Sequence, residues 1–238
     1  MFHKPMRILS PVLLTIIFTA GILFFSEYSH KLGISVSSHT YINFQINYQI
    51  LLLIIAGISM ICSYGLNSAS FRSILAFGNI SAPADELKLF GIYNGDNWFK
   101  TGISLSLVIS LVTGTFMYFQ LNKVVVNYDL LYSGWLWVIL FALTNSFAEE
   151  MIFRVGINGP LHNLLSPKHI YLISGIIFGL AHFHGMPNGI LGMILAGLLG
   201  YILSKSVHET SGIFWAWFIH FLQDVIIIGS LYLINETS

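Results

Sequence analysis

The chain has 238 residues, 55% hydrophobic and only 8% charged, where a soluble domain carries about 25% charged residues. Ten Lys and Arg balance ten Asp and Glu, which leaves no basic excess for nucleic acid and no acidic tail. A soluble globule is excluded: the mean hydropathy of +0.78 and the long apolar runs make lipid the expected solvent.

Seven stretches are long and apolar enough to be read as spans, at 8–25, 46–66, 99–121, 132–155, 169–184, 188–204 and 212–234. The first follows Lys4 and Arg7, but its apolar run is long for a signal peptide and Phe25-Ser26-Glu27 is not a small-x-small cleavage site. It is therefore kept as a helix. The second contains Cys62, the single cysteine, which can form neither an internal disulfide nor a CxxC metal knuckle. Loop 67–98 is read as solvated, with a short interfacial helix at 85–93. The fifth and sixth spans are short and joined by the turn-forming His184-Gly185-Met186-Pro187-Asn188.

The expected fold is thus an all-α, polytopic membrane helix bundle of about seven transmembrane helices, or eight if loop 67–98 hides one. It forms a single integral-membrane domain, 1–238. With the N-terminus cytoplasmic, Lys4, Arg7, Arg72, Lys88, Lys100, Arg154, Lys168 and Lys205 fall inside, and only Lys31 and Lys123 fall outside.

Charged groups at membrane depth are costly and mark candidate functional sites. They occur in the fourth, fifth and seventh spans: Glu149, Glu150 and Arg154; His182; His220 and Asp224. Glu150 and Arg154 are i,i+4 and share a helix face, as do Phe178 and His182, and His220 and Asp224. Glu149 lies about 100° around from Glu150, free to face another helix. At ~1.5 Å per residue, Glu149 lies about 10–13 Å from the cytoplasmic end of its span, His220 about 12 Å and His182 about 20 Å. Tilt can bring these depths into one buried site.

Any one such residue could be interhelical hydrogen-bond glue, but two adjacent glutamates are harder to explain so, since one Arg neutralises only one of them. A carboxylate and two imidazoles suit activation of water and stabilisation of an oxyanion. The same Glu, His and Asp groups could equally ligate Zn²⁺. Other intramembrane hydrolase plans fail on the text. His208-Glu209 continues Thr-Ser-Gly and gives no His-Glu-x-x-His. No Gly-x-Ser-Gly occurs, and Tyr128-Asp129 follows Gly95-Asp96 in the wrong order for a paired-aspartate site.

Glu149-Glu150-Met151-Ile152-Phe153-Arg154 fits Glu-Glu-x-x-x-Arg, Phe178 to His182 fits Phe-x-x-x-His, and His220 to Asp224 fits His-x-x-x-Asn/Asp. In that order on membrane helices, with Thr210-Ser211-Gly212-Ile213 leading into the last, they resemble the CPBP family, also called ABI, of CAAX-processing and bacteriocin-processing intramembrane proteases. The resemblance covers the motif-bearing core, 131–234; the N-terminal helices, 1–125, carry no motif. It implies a glutamate-dependent peptidase without an obligatory metal or other cofactor. Glu149 would activate water with His182, Glu150 and Arg154 would hold that turn, and His220 and residue 224 would stabilise the oxyanion. Residue 224 is Asp where many members have Asn, so a neutral Asp224, or one hydrogen-bonded to His220, is expected.

The implied substrate is a peptide or protein tail at the membrane: prenylated, a leader, a signalling precursor or a sorting tag. The competing readings are a zinc-dependent membrane hydrolase with Glu149, His182, His220 and Asp224 as ligands, a non-catalytic peptide-binding or immunity protein, and a proton-coupled transporter. For the last, the usual pair of broken helices is not evident. The compact chain favours a prokaryotic cytoplasmic membrane. Gly175-x-x-x-Gly179 and Gly192-x-x-x-Ala196-x-x-x-Gly200 read as close helix contacts. Trp135, Trp137, Trp215 and Trp217 read as interfacial anchors, and His162, His169, His184 and His208 as interfacial or loop groups. Asn145, one turn before Glu149, is a candidate partner for it, with packing as the competing account.

Overall fold

The structure, a computed structural model, describes residues 4–235. The helices are α1 (Lys4–Tyr28), α2 (Thr40–Leu66), α3 (Ser68–Leu75), α4 (Trp98–Leu121), α5 (Leu130–Glu150), α6 (Gly156–Leu161), α7 (Pro167–Ala181), α8 (Gly189–Thr210) and α9 (Phe214–Asn235). A π-helical turn, Met151–Val155, joins α5 to α6. Among the described residues, six runs are long and apolar enough to cross a membrane: α1, α2, α4, Gly134–Leu161, α8 and α9. The protein is therefore a polytopic helical integral-membrane bundle. Residues such as Ile61 and Leu111, 73% and 71% exposed, face outward because the solvent there is lipid.

The fifth expected span is α7, apolar but only 15 residues long, and it pairs along its length with α8. Glycines permit the approach. A Cβ on Gly179 would lie 2.5 Å from the Met193 carbonyl oxygen, and one on Gly200 would lie 3.0 Å from Phe178 Cβ. The small-residue spacing read from the sequence marks this contact. Helix α9 packs on α4, α5 and α8, and α2 on α5 and the π turn, so the three ionisable helices meet at the centre.

Loop 67–98 corrects two expectations. It hides no eighth span, since α3 has eight residues, and the helix expected at 85–93 is only a 3-10 turn, Lys88–Phe90. Left-handed Gly91 and Gly95 break the segment, and the bridges Pro83–Asn97 and Leu87–Ile92 fold it on itself. Asp96 accepts the Tyr93 N–H and the Lys100 ammonium, both at 2.8 Å, which together hold its carboxyl below the usual range.

The loop is also not simply solvated. Asn79 N–H donates to Thr210 O at 2.8 Å, Ile213 N–H to Ala76 O at 3.0 Å and Trp215 Nε1–H to Ile80 O at 2.9 Å. Trp98 Nε1–H reaches Glu209 at 2.8 Å, and Lys205 pairs with the same carboxylate. Trp215 is consequently 2% exposed, a buried anchor for this loop rather than a membrane-interface residue, whereas Trp135 is exposed.

Candidate functional site

The Glu-Glu-x-x-x-Arg segment straddles the end of α5 and the π turn. Such a turn disturbs the regular helical hydrogen bonds and is frequent at functional sites. Neighbouring hydroxyls take up its carbonyls: Ser63 Oγ–H donates to Val155 O at 2.8 Å, Ser59 to Met151 O at 3.4 Å and Ser174 to Phe153 O at 3.3 Å. Glu150 and Arg154 are fully buried and ion-paired, Nε to Oε2 at 3.2 Å. The Arg154 guanidinium also lies 4.2 Å from the centre of the Phe178 ring, a cation–π contact.

His182 stands at the C-terminal cap of α7. The Phe-x-x-x-His spacing acquires a backbone reason here, since His182 Nδ1 lies 2.8 Å from the Phe178 carbonyl oxygen. A carbonyl only accepts, so Nδ1 carries the proton and a neutral ring leaves Nε2 as acceptor. That Nε2 faces Glu149 Oε2 at 3.7 Å. Phe178 packs against both imidazoles, with ring centres 4.2 Å from His182 and 5.6 Å from His220.

His220 is tied through Nδ1 to Glu150 Oε1 at 2.8 Å. Its Nε2 is 3.7 Å from Glu149 Oε2 and 3.7 Å from Asp224 Oδ1. The last distance removes one of the two alternatives expected for Asp224, because it is too long for a His220–Asp224 hydrogen bond. The bond to Asp224 comes instead from Asn145, whose Nδ2 donates to Asp224 Oδ2 and to Glu149 Oε1, each at 3.1 Å. Asn145 is in turn approached by Gln49 of α2, Nε2 to Oδ1 at 3.4 Å.

All four candidate reactive residues, Glu149, His182, His220 and Asp224, are therefore brought together, with Glu150, Arg154 and Phe178 behind them. His184 is not among them; it lies exposed in the α7–α8 loop. His162 and His208 pair with each other elsewhere, ring centres 5.5 Å apart. Gln49 was the group hidden from sequence reasoning. Starting the second span at residue 46 puts Gln45 and Gln49 at its watery end, although their i,i+4 spacing was a usable signal.

His182, His220 and Asp224, with Thr113 and Gln223, form the polar part of a cavity of about 400 Å³. Its other walls are apolar, from Val108, Val112 and Phe116 of α4 and Leu195 and Leu199 of α8, and it reaches Leu89 and Phe90 of the anchored loop. Among the described residues no group of three or more His, Cys, Asp or Glu side chains is placed to hold a metal ion.

Fold and site together define a helical membrane protein with a buried glutamate, histidine and aspartate cluster beside an apolar cavity. Residues 131–226 match the family model described as Rce1-like, "Type II CAAX prenyl endopeptidase Rce1-like". This segment carries all three motifs and is similar to a family of proteases, the CAAX-protease family that the motifs resemble. No curated protein and no solved structure matches the chain.

Proposed function

We propose that the protein is an intramembrane endopeptidase that hydrolyses a peptide bond in a membrane-associated peptide or protein tail, using water activated by Glu149 and His182. The observation that carries this reading is the facing of Glu149 Oε2 and His182 Nε2 across 3.7 Å beside an apolar cavity. That separation is too long for a direct hydrogen bond but lets one oxygen contact both groups. A water there donates one hydrogen to the carboxylate and one to the imidazole, turning a lone pair toward the substrate.

Attack forms a carbon–oxygen bond while the water proton passes to Glu149 and the carbonyl π pair moves onto its oxygen. His220 acts as the imidazolium among Glu149, Glu150 and Asp224: its Nδ1–H donates to Glu150 Oε1 and its Nε2–H to that oxyanion. Collapse restores the carbonyl, the C–N bond breaks, and the proton held by Glu149 goes to the leaving amine. Asp224, hydrogen-bonded by Asn145, stands 3.7 Å from His220 Nε2 as a charge partner of that ring. Glu150, Arg154 and Phe178 support this arrangement without touching the reacting atoms.

The substrate backbone must be extended to present its carbonyl, which suits a leader, a sorting tag or a lipidated tail. The apolar cavity walls favour a chain that brings an apolar group with it. The Lys and Arg distribution supports an N-terminus in the cytoplasm and a C-terminus outside. Residues 131–234 form the catalytic core and 1–125 its helical flank, within one domain.

The test compares purified wild type with Glu149→Gln on a membrane-peptide library read by mass spectrometry, with and without chelator. Cleavage is expected in the wild type, lost in the variant and unchanged by chelation. Cleavage that persists in Glu149→Gln overturns the mechanism. Cleavage abolished by chelator and restored by Zn²⁺ replaces it with the metal-dependent one.

A further inference from the structure

The motif-free helix α2 sends a line of buried amides to the two carboxylates. Tyr41, Gln45 and Gln49 lie four residues apart, on one face of α2. Gln45 Nε2 donates to the Tyr41 hydroxyl at 2.9 Å, and Gln49 Nε2 lies 3.5 Å from Gln45 Oε1 and 3.4 Å from Asn145 Oδ1. The Gln49 carbonyl accepts from the Thr144 hydroxyl at 2.9 Å.

Every donor and acceptor in this line has one consistent direction. With Gln49 Oε1 facing the Thr144 hydroxyl, which also lies within reach of the Leu140 and Phe141 carbonyls, both N–H groups of Gln49 point at Gln45 and at Asn145. With Asn145 Oδ1 occupied as an acceptor, both of its N–H groups point the other way. They meet Glu149 Oε1 and Asp224 Oδ2, at 3.1 Å each. Neither amide can flip without setting oxygen against oxygen, which in a buried site costs a hydrogen bond and leaves a polar atom unpaired.

We infer that Asn145, aligned by Gln49, is a positioning residue that holds Glu149 and Asp224 in one arrangement, so that α2 takes part in the site although it carries no motif. The inference rests on the protease reading above. Its consequence is geometric: with Oε1 fixed by Asn145, Glu149 is left with Oε2 toward His182 and His220, the oxygen that meets the water.

Steady-state kinetics on Asn145→Leu, Gln49→Met and the double variant test it, with thermal melting in the same lipid. Each side chain is replaced by an apolar one with nearly the same number of heavy atoms. The expected result for Asn145→Leu is a loss of about ten- to hundredfold in kcat with KM nearly unchanged, the scale of a misplaced reacting group. Gln49→Met falls in the same direction, and the double variant is no worse than Asn145→Leu, because the two amides act as one unit. Thr144→Val, which removes the hydroxyl from the Gln49 carbonyl and from the Leu140 and Phe141 carbonyls of its own helix, serves if Gln49→Met fails to fold, and a smaller kcat loss is expected from it.

Full kcat in Asn145→Leu, or losses that multiply in the double variant, overturn the inference. So does a loss that merely follows the folded fraction. Cleavage that dies in Glu149→Gln yet survives undiminished in Gln49→Met removes this inference alone. Cleavage that survives in Glu149→Gln removes the protease mechanism, and with it the purpose of the aligned amides.

Discussion

Asp224 and Glu150 are both buried acids, and their surroundings predict opposite tolerance. Asp224 meets an amide donor and stands 3.7 Å from His220. Asp224→Asn keeps the volume and an acceptor for Asn145, so cleavage is expected within about tenfold of wild type, roughly one hydrogen bond's worth. A complete loss would show that the negative charge itself is needed. Glu150 is the ion partner of a fully buried Arg154 and the hydrogen-bond partner of His220. Removing one member of such a pair leaves a buried charge uncompensated and costs about 3–5 kcal/mol. Glu150→Gln should therefore melt well below wild type as well as lose cleavage. At this scale the sequence was informative because charge in lipid is conspicuous: Glu149, His182, His220 and Asp224 could each be picked out alone. The pairings could not, since Glu150 satisfies both its own-helix Arg154 and His220, 70 residues away, and i,i+4 reasoning finds only the first.

Among the elements, the α7–α8 pair supports His182. Its close approach relies on glycine, and Gly179→Leu would drive a side chain into the Met193 carbonyl, 2.5 Å from where its Cβ would stand. Overpacking of this kind costs about 1–3 kcal/mol or more. The variant is expected to melt lower and lose cleavage, while Leu180→Phe, at an exposed position, should do neither. This contact was readable because small residues four apart have few other uses in a membrane helix. Helix α2 was not readable in the same way. Its hydroxyls and amides are neutral and pass for ordinary polar residues until their partners, the π-turn carbonyls and Asn145, are in place. The π turn itself has no sequence mark beyond the motif it follows.

For the molecule as a whole, the orientation has a direct check. In a Cys62→Ser background, Tyr128→Cys in the α4–α5 connection should react with a membrane-impermeant thiol reagent added to intact cells. Lys168→Cys, at the start of α7, should react only after permeabilisation, and the reverse pattern would invert the topology. Helical class and six of the seven expected spans followed from hydropathy, because a bilayer imposes length and backbone satisfaction on each segment. The anchoring of loop 67–98 did not, since it depends on Glu209 gathering Trp98, Lys205 and the Asp85 N–H from three separate parts of the chain.

Helices α4 and α8 both line the apolar cavity, yet they scarcely pack on one another; on the proposed reading, acyl chains of the bilayer would complete that wall. The apparent affinity for any substrate is then a ratio, measured against acyl chains that occupy the same apolar space. A host lipid with bulkier or longer tails changes that ratio without altering a single catalytic atom.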